Sequence, residues 1–269
     1  MSENAAADAA RRAKNSGAAR ALARAGYIAS GMLHVLVGWL AVQLALGRPT
    51  GAPDESGAFR TLAQAPGGEL LLWAVAVGFA ALALWQLTTA VVGVPNAEHQ
   101  AGARAKSVAK AGLYGVLAAS SAQYAGGSGG AGSNEESMTA GVMAMPGGRW
   151  LVGAVGLVIV AVGVYHVVKG ARKKFLSDLA GTEGRSVRPV VVQLGRAGYV
   201  AKGIALGVVG GLVVAAAATA DASRAGGLDE ALRTMRDQPY GSVLLLVIGL
   251  GVAAFGCYSF ARARFARLE

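Results

Sequence analysis

The chain has 269 residues, of which 54% are hydrophobic and only 15% charged, with a mean hydropathy of +0.47. Ordinary soluble domains carry about 25% charged residues, and here the deficit falls in six uncharged runs, 25–47, 70–97, 111–134, 150–168, 203–220 and 238–261. Each run suffices for a membrane helix, which needs about 20 mostly apolar residues at ~1.5 Å rise, so a soluble fold is set aside.

In chain order, Met1–Ala23 comes first. It carries Arg11, Arg12, Lys14 and Arg20 without an apolar core, so it reads as a basic, mostly disordered or loosely helical cytoplasmic tail rather than a signal peptide. Three similar units follow, at 24–93, 108–170 and 195–262, each holding two apolar runs. Each opens on a basic residue and Ala-Gly: Arg24-Ala25-Gly26, Lys110-Ala111-Gly112, Arg196-Ala197-Gly198. Between its two runs each carries a short stretch of helical periodicity. Phe59, Leu62 and Ala63 mark the first face, Met138, Val142 and Met145 the second, and Leu228, Ala231, Leu232 and Met235 the third. A Pro with Gly two residues later closes each stretch: Pro66/Gly68, Pro146/Gly148, Pro239/Gly241. The Pro is expected to end the short helix and the Gly to permit the turn into the next span.

Small residues recur at heptad spacing as Gly31/Gly38, Ala76/Ala83, Gly156/Gly163, Gly203/Gly210 and Gly249/Gly256. Residues seven apart share a helix face, and small ones let membrane helices approach closely. Trp85, Tyr165 and Tyr258 follow their prolines at a common distance of roughly 28 Å of helix, so they read as an aromatic belt at the inner interface, with Trp73 and Trp150 at the outer one. The single cysteine, Cys257, forms no internal disulfide and reads as a small buried packing residue.

The net charge of +10 is explained by topology rather than by nucleic acid. One set of alternate segments holds the tail arginines, then Arg104, Lys106 and Lys110, then Lys169, Arg172, Lys173, Lys174, Arg185, Arg188 and Arg196, and finally Arg262, Arg264 and Arg267. No segment of the other set has more than three cations. Excess Lys and Arg mark the cytoplasmic side. The reading is an all-α polytopic membrane protein, one membrane domain of six transmembrane helices. They form three parallel two-helix repeats with short interfacial helices in the outer loops and both termini in the cytoplasm.

Chemistry-bearing residues are few. No Asp or Glu lies mid-span, where ion-coupled transport usually needs one, and His34, His99 and His166 are the whole histidine complement, below what zinc catalysis requires. No cofactor and no metal is expected. The candidate polar or ligand-contact residues are Gln86, His166 and Ser259, at matching positions of the three repeats, together with His34 and Lys202. His34 is matched by Ser120 and Leu206 in the other repeats. Lys202, just inside the fifth span, is expected to snorkel to the inner interface.

The stretches Arg24–Tyr27 and Arg196–Tyr199, continuing to Gly31 and Gly203, carry a resemblance, as do Ala58-Phe59-Arg60-Thr61-Leu62, Pro66-Gly67-Gly68, Leu228–Met235 and Pro239-Tyr240-Gly241. Together they resemble the membrane family called domain of unknown function 1206. That resemblance covers about residues 20–265, with the middle repeat departing at Lys110-Ala111-Gly112-Leu113-Tyr114. It implies a bacterial integral membrane protein with the two-span unit present three times, and it brings no catalytic or binding residues with it. The functional expectation is a non-enzymatic protein of the bacterial inner membrane. It binds lipids, anionic headgroups at the basic cytoplasmic face among them, or a membrane protein partner, or acts as a scaffold. The alternative is a small channel or transporter with a pathway along the pseudo-threefold axis, for which the Gln86/His166/Ser259 ring would form a constriction.

Overall fold

The computed structural model describes residues 17–93, 100–128, 135–179, 189–225 and 227–265. Among these, every regular element is helical, in a long–short–long order that occurs three times. The first group is α1 (Gly17–Ala45), α2 (Glu55–Ala63) and α3 (Gly68–Val92). The second is α4 (Gln100–Ala125), α5 (Glu135–Met143) and α6 (Gly148–Ala171). The third is α7 (Pro189–Thr219), α8 (Gly227–Arg236) and α9 (Gly241–Phe265). Short 3₁₀ turns lie at Lys174–Asp178 and Ala222–Arg224.

Five helices contain stretches long and apolar enough to cross a membrane: Arg24–Ala45, Gly68–Val92, Gly148–Ala171, Pro189–Thr219 and Gly241–Phe265. The helix α4 is as long but is not among them. Its first half carries Arg104, Lys106 and Lys110, and its second half is rich in Ala, Gly and Ser. The expected run 111–134 is shortened as well, since α4 stops at Ala125. At the other end α1 begins within the stretch read as a mostly disordered or loosely helical tail. Gly17–Ala23 belongs to α1, while 1–16 lie outside the described residues.

The chain divides into two compact units, Met1–Met32 with Leu62–Gly129 and Ser259–Glu269, and Leu33–Thr61 with Gly130–Tyr258. In the first, α4 runs antiparallel along α3. Ser121 Oγ, fully buried, donates to the Leu72 carbonyl at 2.8 Å, and Tyr114 stacks on Phe79 at 6.1 Å. Gln100 lies against Gly93 at the far end.

In the second unit α6 and α7 are joined by a glycine seam. A Cβ on Gly163 would stand 2.7 Å from the Gly203 carbonyl oxygen, and one on Gly203 2.6 Å from that of Gly163. Gly156 and Gly210 face each other in the same way one heptad along. The contact of α1 with α9 repeats the device, with Gly38 against the backbone of Gly249 and Ala253. The heptad glycines therefore meet one another, as close helix approach requires.

At each Pro-x-Gly landmark the glycine permits the turn as expected, through space rather than through φ. The residue that adopts the left-handed conformation is the middle one: Gly67 (φ 72), Gly147 (φ 76) and Tyr240 (φ 60). The following glycine is needed for space. A Cβ on Gly68, Gly148 or Gly241 would collide with the carbonyl oxygen of Leu62, Val142 or Met235 respectively. Matching backbone bonds hold all three turns: Gly68 N–H to Ala65 at 2.8 Å, Gly148 N–H to Met145 at 2.9 Å and Gly241 N–H to Gln238 at 2.7 Å. The turn folds the short helix so tightly onto the start of the next long one that only hydrogen fits between them.

Repeat equivalence fails in the middle unit. Gly26 packs on Leu82 and Gly198 on Phe255, which are corresponding contacts of repeats one and three. Gly112, their counterpart, has open space where its Cβ would lie. Two smaller expectations are also corrected. Cys257 is exposed rather than buried. Tyr258 is fully buried rather than part of an interfacial belt, while Tyr165, Trp73 and Trp150 are exposed as a belt would have them.

Candidate functional site

The connection after α6 builds a fixed cationic surface. Lys173 takes the left-handed conformation (φ 54) and turns the chain into Lys174–Asp178. That turn sends Phe175 and Leu179 inward, where both are fully buried. Phe175 stacks on Tyr199 at 5.4 Å, meets Tyr258 edge-on at 5.3 Å, and lies so close to Gly195 that a Cβ there would strike its ring. Tyr258 Oη donates to the Phe175 carbonyl at 3.3 Å. Burying one such aromatic side chain stabilises by about 1.5–3 kcal/mol. Arg172, Lys173 and Lys174 are thereby held exposed on a docked turn. Lys169 is treated otherwise: its ammonium pairs with Asp178 at 2.7 Å and lies 5.3 Å from the Tyr199 ring. Sequence reasoning counted these cations but missed Phe175. An aromatic among basic residues, Lys173-Lys174-Phe175-Leu176, was the available signal.

Within the same unit a second polar feature joins α1 to α7. Lys202 Nζ lies 2.9 Å from His34 Nε2. The Phe255 ring covers both, 4.6 Å from the ammonium and 4.8 Å from the imidazole. Lys202 thus has a partner on a neighbouring helix. His34 lies ~15 Å along α1 from Arg24, and Lys202 only ~9 Å along α7 from the equivalent Arg196. The ammonium meets an imidazole nitrogen and an aromatic face that solvate it.

On α2, Asp54 caps the helix, its carboxylate accepting from the Gly57 N–H at 2.9 Å and from Ser56 Oγ at 2.7 Å. Glu55 next to it is exposed to solvent, yet protein atoms crowd around its carboxyl. That desolvation pushes its pKa up, helped by the neighbouring Asp54 charge and opposed by a backbone hydrogen bond and the charge of Lys202. On α8 desolvation likewise raises Asp229, against the pull of Arg233, which donates to it at 2.7 Å.

The remaining candidates have unlike surroundings. Gln86 and Ser259 lie in the first unit, Gln86 half-buried and Ser259 buried. His166 lies in the second, its Nδ1 2.8 Å from the Val162 carbonyl and its ring stacked 5.8 Å from Tyr199. His99, Arg185 and Arg188 fall outside the described residues. Among the described residues no group of three or more His, Cys, Asp and Glu is arranged to hold a metal ion.

Long apolar helices, glycine seams between them and polar side chains spent on interhelical contacts define a helical membrane protein. The chain belongs to the Domain of Unknown Function family DUF1206, whose sequence model matches three times, at 25–93, 105–173 and 197–266. It is also 30% identical over 240 residues to "Uncharacterized protein YxxB" of Bacillus subtilis (strain 168), across 88% of this chain and 87% of that protein. No solved structure matches it.

Proposed function

We propose that this is a non-enzymatic, six-span protein of the bacterial inner membrane, with both termini cytoplasmic, that holds anionic lipid headgroups on the turn after α6. The observation that carries the reading is the docked turn, with Phe175 and Leu179 buried beneath exposed Arg172, Lys173 and Lys174. A loose basic loop attracts anionic lipid without a defined seat, whereas a turn anchored by a buried aromatic presents its cations in one arrangement. The six-span element rests on α4 lying along α3 from Leu72–Ser121 through Phe79–Tyr114 to Gly93–Gln100. A helix that follows a membrane-spanning partner over that length crosses with it. The excess of Lys and Arg at the tail and at the connections after α3 and α6 supports the orientation.

Each basic residue near an anionic surface contributes about 1 kcal/mol. Replacing Arg172, Lys173 and Lys174 together by Gln therefore removes about 3 kcal/mol, more than a hundredfold in lipid retention. Native mass spectrometry of the full chain from phosphatidylglycerol-containing nanodiscs reads this directly. The variant Phe175→Ala keeps every charge but undocks the turn, so it too loses retained lipid. Equal retention by the wild type and the triple variant refutes the reading.

A further inference from the structure

The pair His34–Lys202 stands apart from the repeat. His34 is matched by Ser120 and Leu206, and Lys202 by Ser30 and Val116, so neither residue belongs to the pattern that builds the hairpins. The two are nevertheless brought to 2.9 Å, nitrogen to nitrogen. A contact of that length holds one hydrogen. Either the ammonium donates to the imidazole lone pair, or the imidazole N–H donates to a neutral amine. With both groups fully protonated two N–H bonds would point at each other, and the contact would open. The Phe255 ring favours the singly charged state, because its face attracts a cation and it lies within 5 Å of both partners.

We propose that His34 and Lys202 form a proton-binding site inside the α1–α7 contact, taking up one proton shared between the two nitrogens. A second proton breaks the N···N contact, so the state of the site is coupled to how α1 and α7 are held. The proton comes from the medium, and no other bond is made or broken. The surrounding elements contribute a defined set of ionisable groups. On α7 there is Tyr199, and on α9 Cys257 and Tyr258, the latter donating to the Phe175 carbonyl. From α2 come Asp54 and Glu55, the charge of Lys202 acting on Glu55. On α6 stand His166, Lys169 and Tyr165 near the connection to α7, with Arg149 bonded to the Ala217 and Ala218 carbonyls at the opposite end. On α8 Asp229 pairs with Arg233, beside Glu230 and Arg236, and Asp221 pairs with Arg224 in the turn before it. Among the described residues, the imidazole at hydrogen-bond distance from Lys202 is that of His34.

The test uses the full chain in lipid nanodiscs with ¹⁵N-labelled histidine, in which His34, His99 and His166 are the three signals. Groups that share a proton titrate as a pair, with coupling of about one pH unit or more. Lys202→Met is therefore expected to move the His34 titration midpoint by at least about one unit while leaving His166 in place. Should that variant fail to fold, Lys202→Gln keeps a donor without a charge and gives the same displacement. In His34→Gln, an acceptor that takes up no proton, the pH-dependent step assigned to the pair disappears. A His34 midpoint that is unchanged in the lysine variant overturns the proposal, as does a His34 ring whose Nε2 shift shows no hydrogen-bonded partner in the wild type.

Discussion

Alanine at Gly203, measured against alanine at Gly207, isolates what the glycine seam contributes. Both glycines lie in the same turns of α7, so both variants gain the same helix preference of roughly 1 kcal/mol over Gly, and that gain cancels in the comparison. At Gly203 the new methyl would stand 2.6 Å from the Gly163 carbonyl oxygen and 2.7 Å from both the Val167 amide nitrogen and its Cγ2. Two of those neighbours are backbone, which moves only if α6 and α7 separate. At Gly207 nothing lies within 4 Å of the new methyl. Overpacking a close-packed interior costs about 1–3 kcal/mol, and a clash against backbone belongs at the upper end. Gly203→Ala is therefore expected to be about 2–3 kcal/mol less stable than Gly207→Ala, the latter equal to or slightly above the wild type. Reversible unfolding of the purified protein in mixed detergent micelles, titrated with sodium dodecyl sulfate, measures the difference. Equal stabilities for the two variants would show that α6 and α7 do not meet at this seam, and the packing argument would fall.

Two further outcomes follow from the loops. Within the second Pro-x-Gly turn, Gly147→Ala suffers only the left-handed backbone cost of about 1–2 kcal/mol, because its Cβ meets open space. Gly148→Ala drives its methyl into the Val142 carbonyl, so the same unfolding assay should find it the more damaging of the two. On α2, the raised Glu55 pKa means the folded protein binds that proton more tightly than the unfolded chain does. Its stabilising contribution is complete below the ordinary glutamate range and lost as pH rises through the raised value. Glu55→Gln should flatten that part of the pH–stability profile and stabilise the protein at neutral pH. A profile unchanged by the substitution contradicts a desolvated Glu55.

The architecture was legible because its signals are periodic. Uncharged runs, recurring Ala-Gly and Pro-x-Gly landmarks and heptad glycines each repeat along the chain, and repetition needs no knowledge of what lies opposite. The glycines at 156, 163, 203 and 210 could be assigned to close packing for that reason, and they do meet backbone to backbone. Inside Pro-x-Gly the closing glycine does permit the turn, through its missing Cβ rather than a positive φ. The sequence marks where a turn occurs, but which residue takes positive φ and which must lack a Cβ depends on how closely the short helix folds back. Tyr240, with φ 60, shows that residue type alone was an incomplete guide.

What the amino-acid sequence determined by itself was the element order, the threefold unit and its membrane character. All three come from hydrophobic patterning and local backbone preference, which act over a few turns of chain. What only the tertiary structure decided were the meetings of unlike positions: Lys202 with His34 and Phe255, and Phe175 with Gly195, Tyr199 and Tyr258. Those depend on the rotation of each long helix about its axis and on which helix of another repeat it lies against. Both are set by packing between segments far apart in the chain, and no local pattern encodes them.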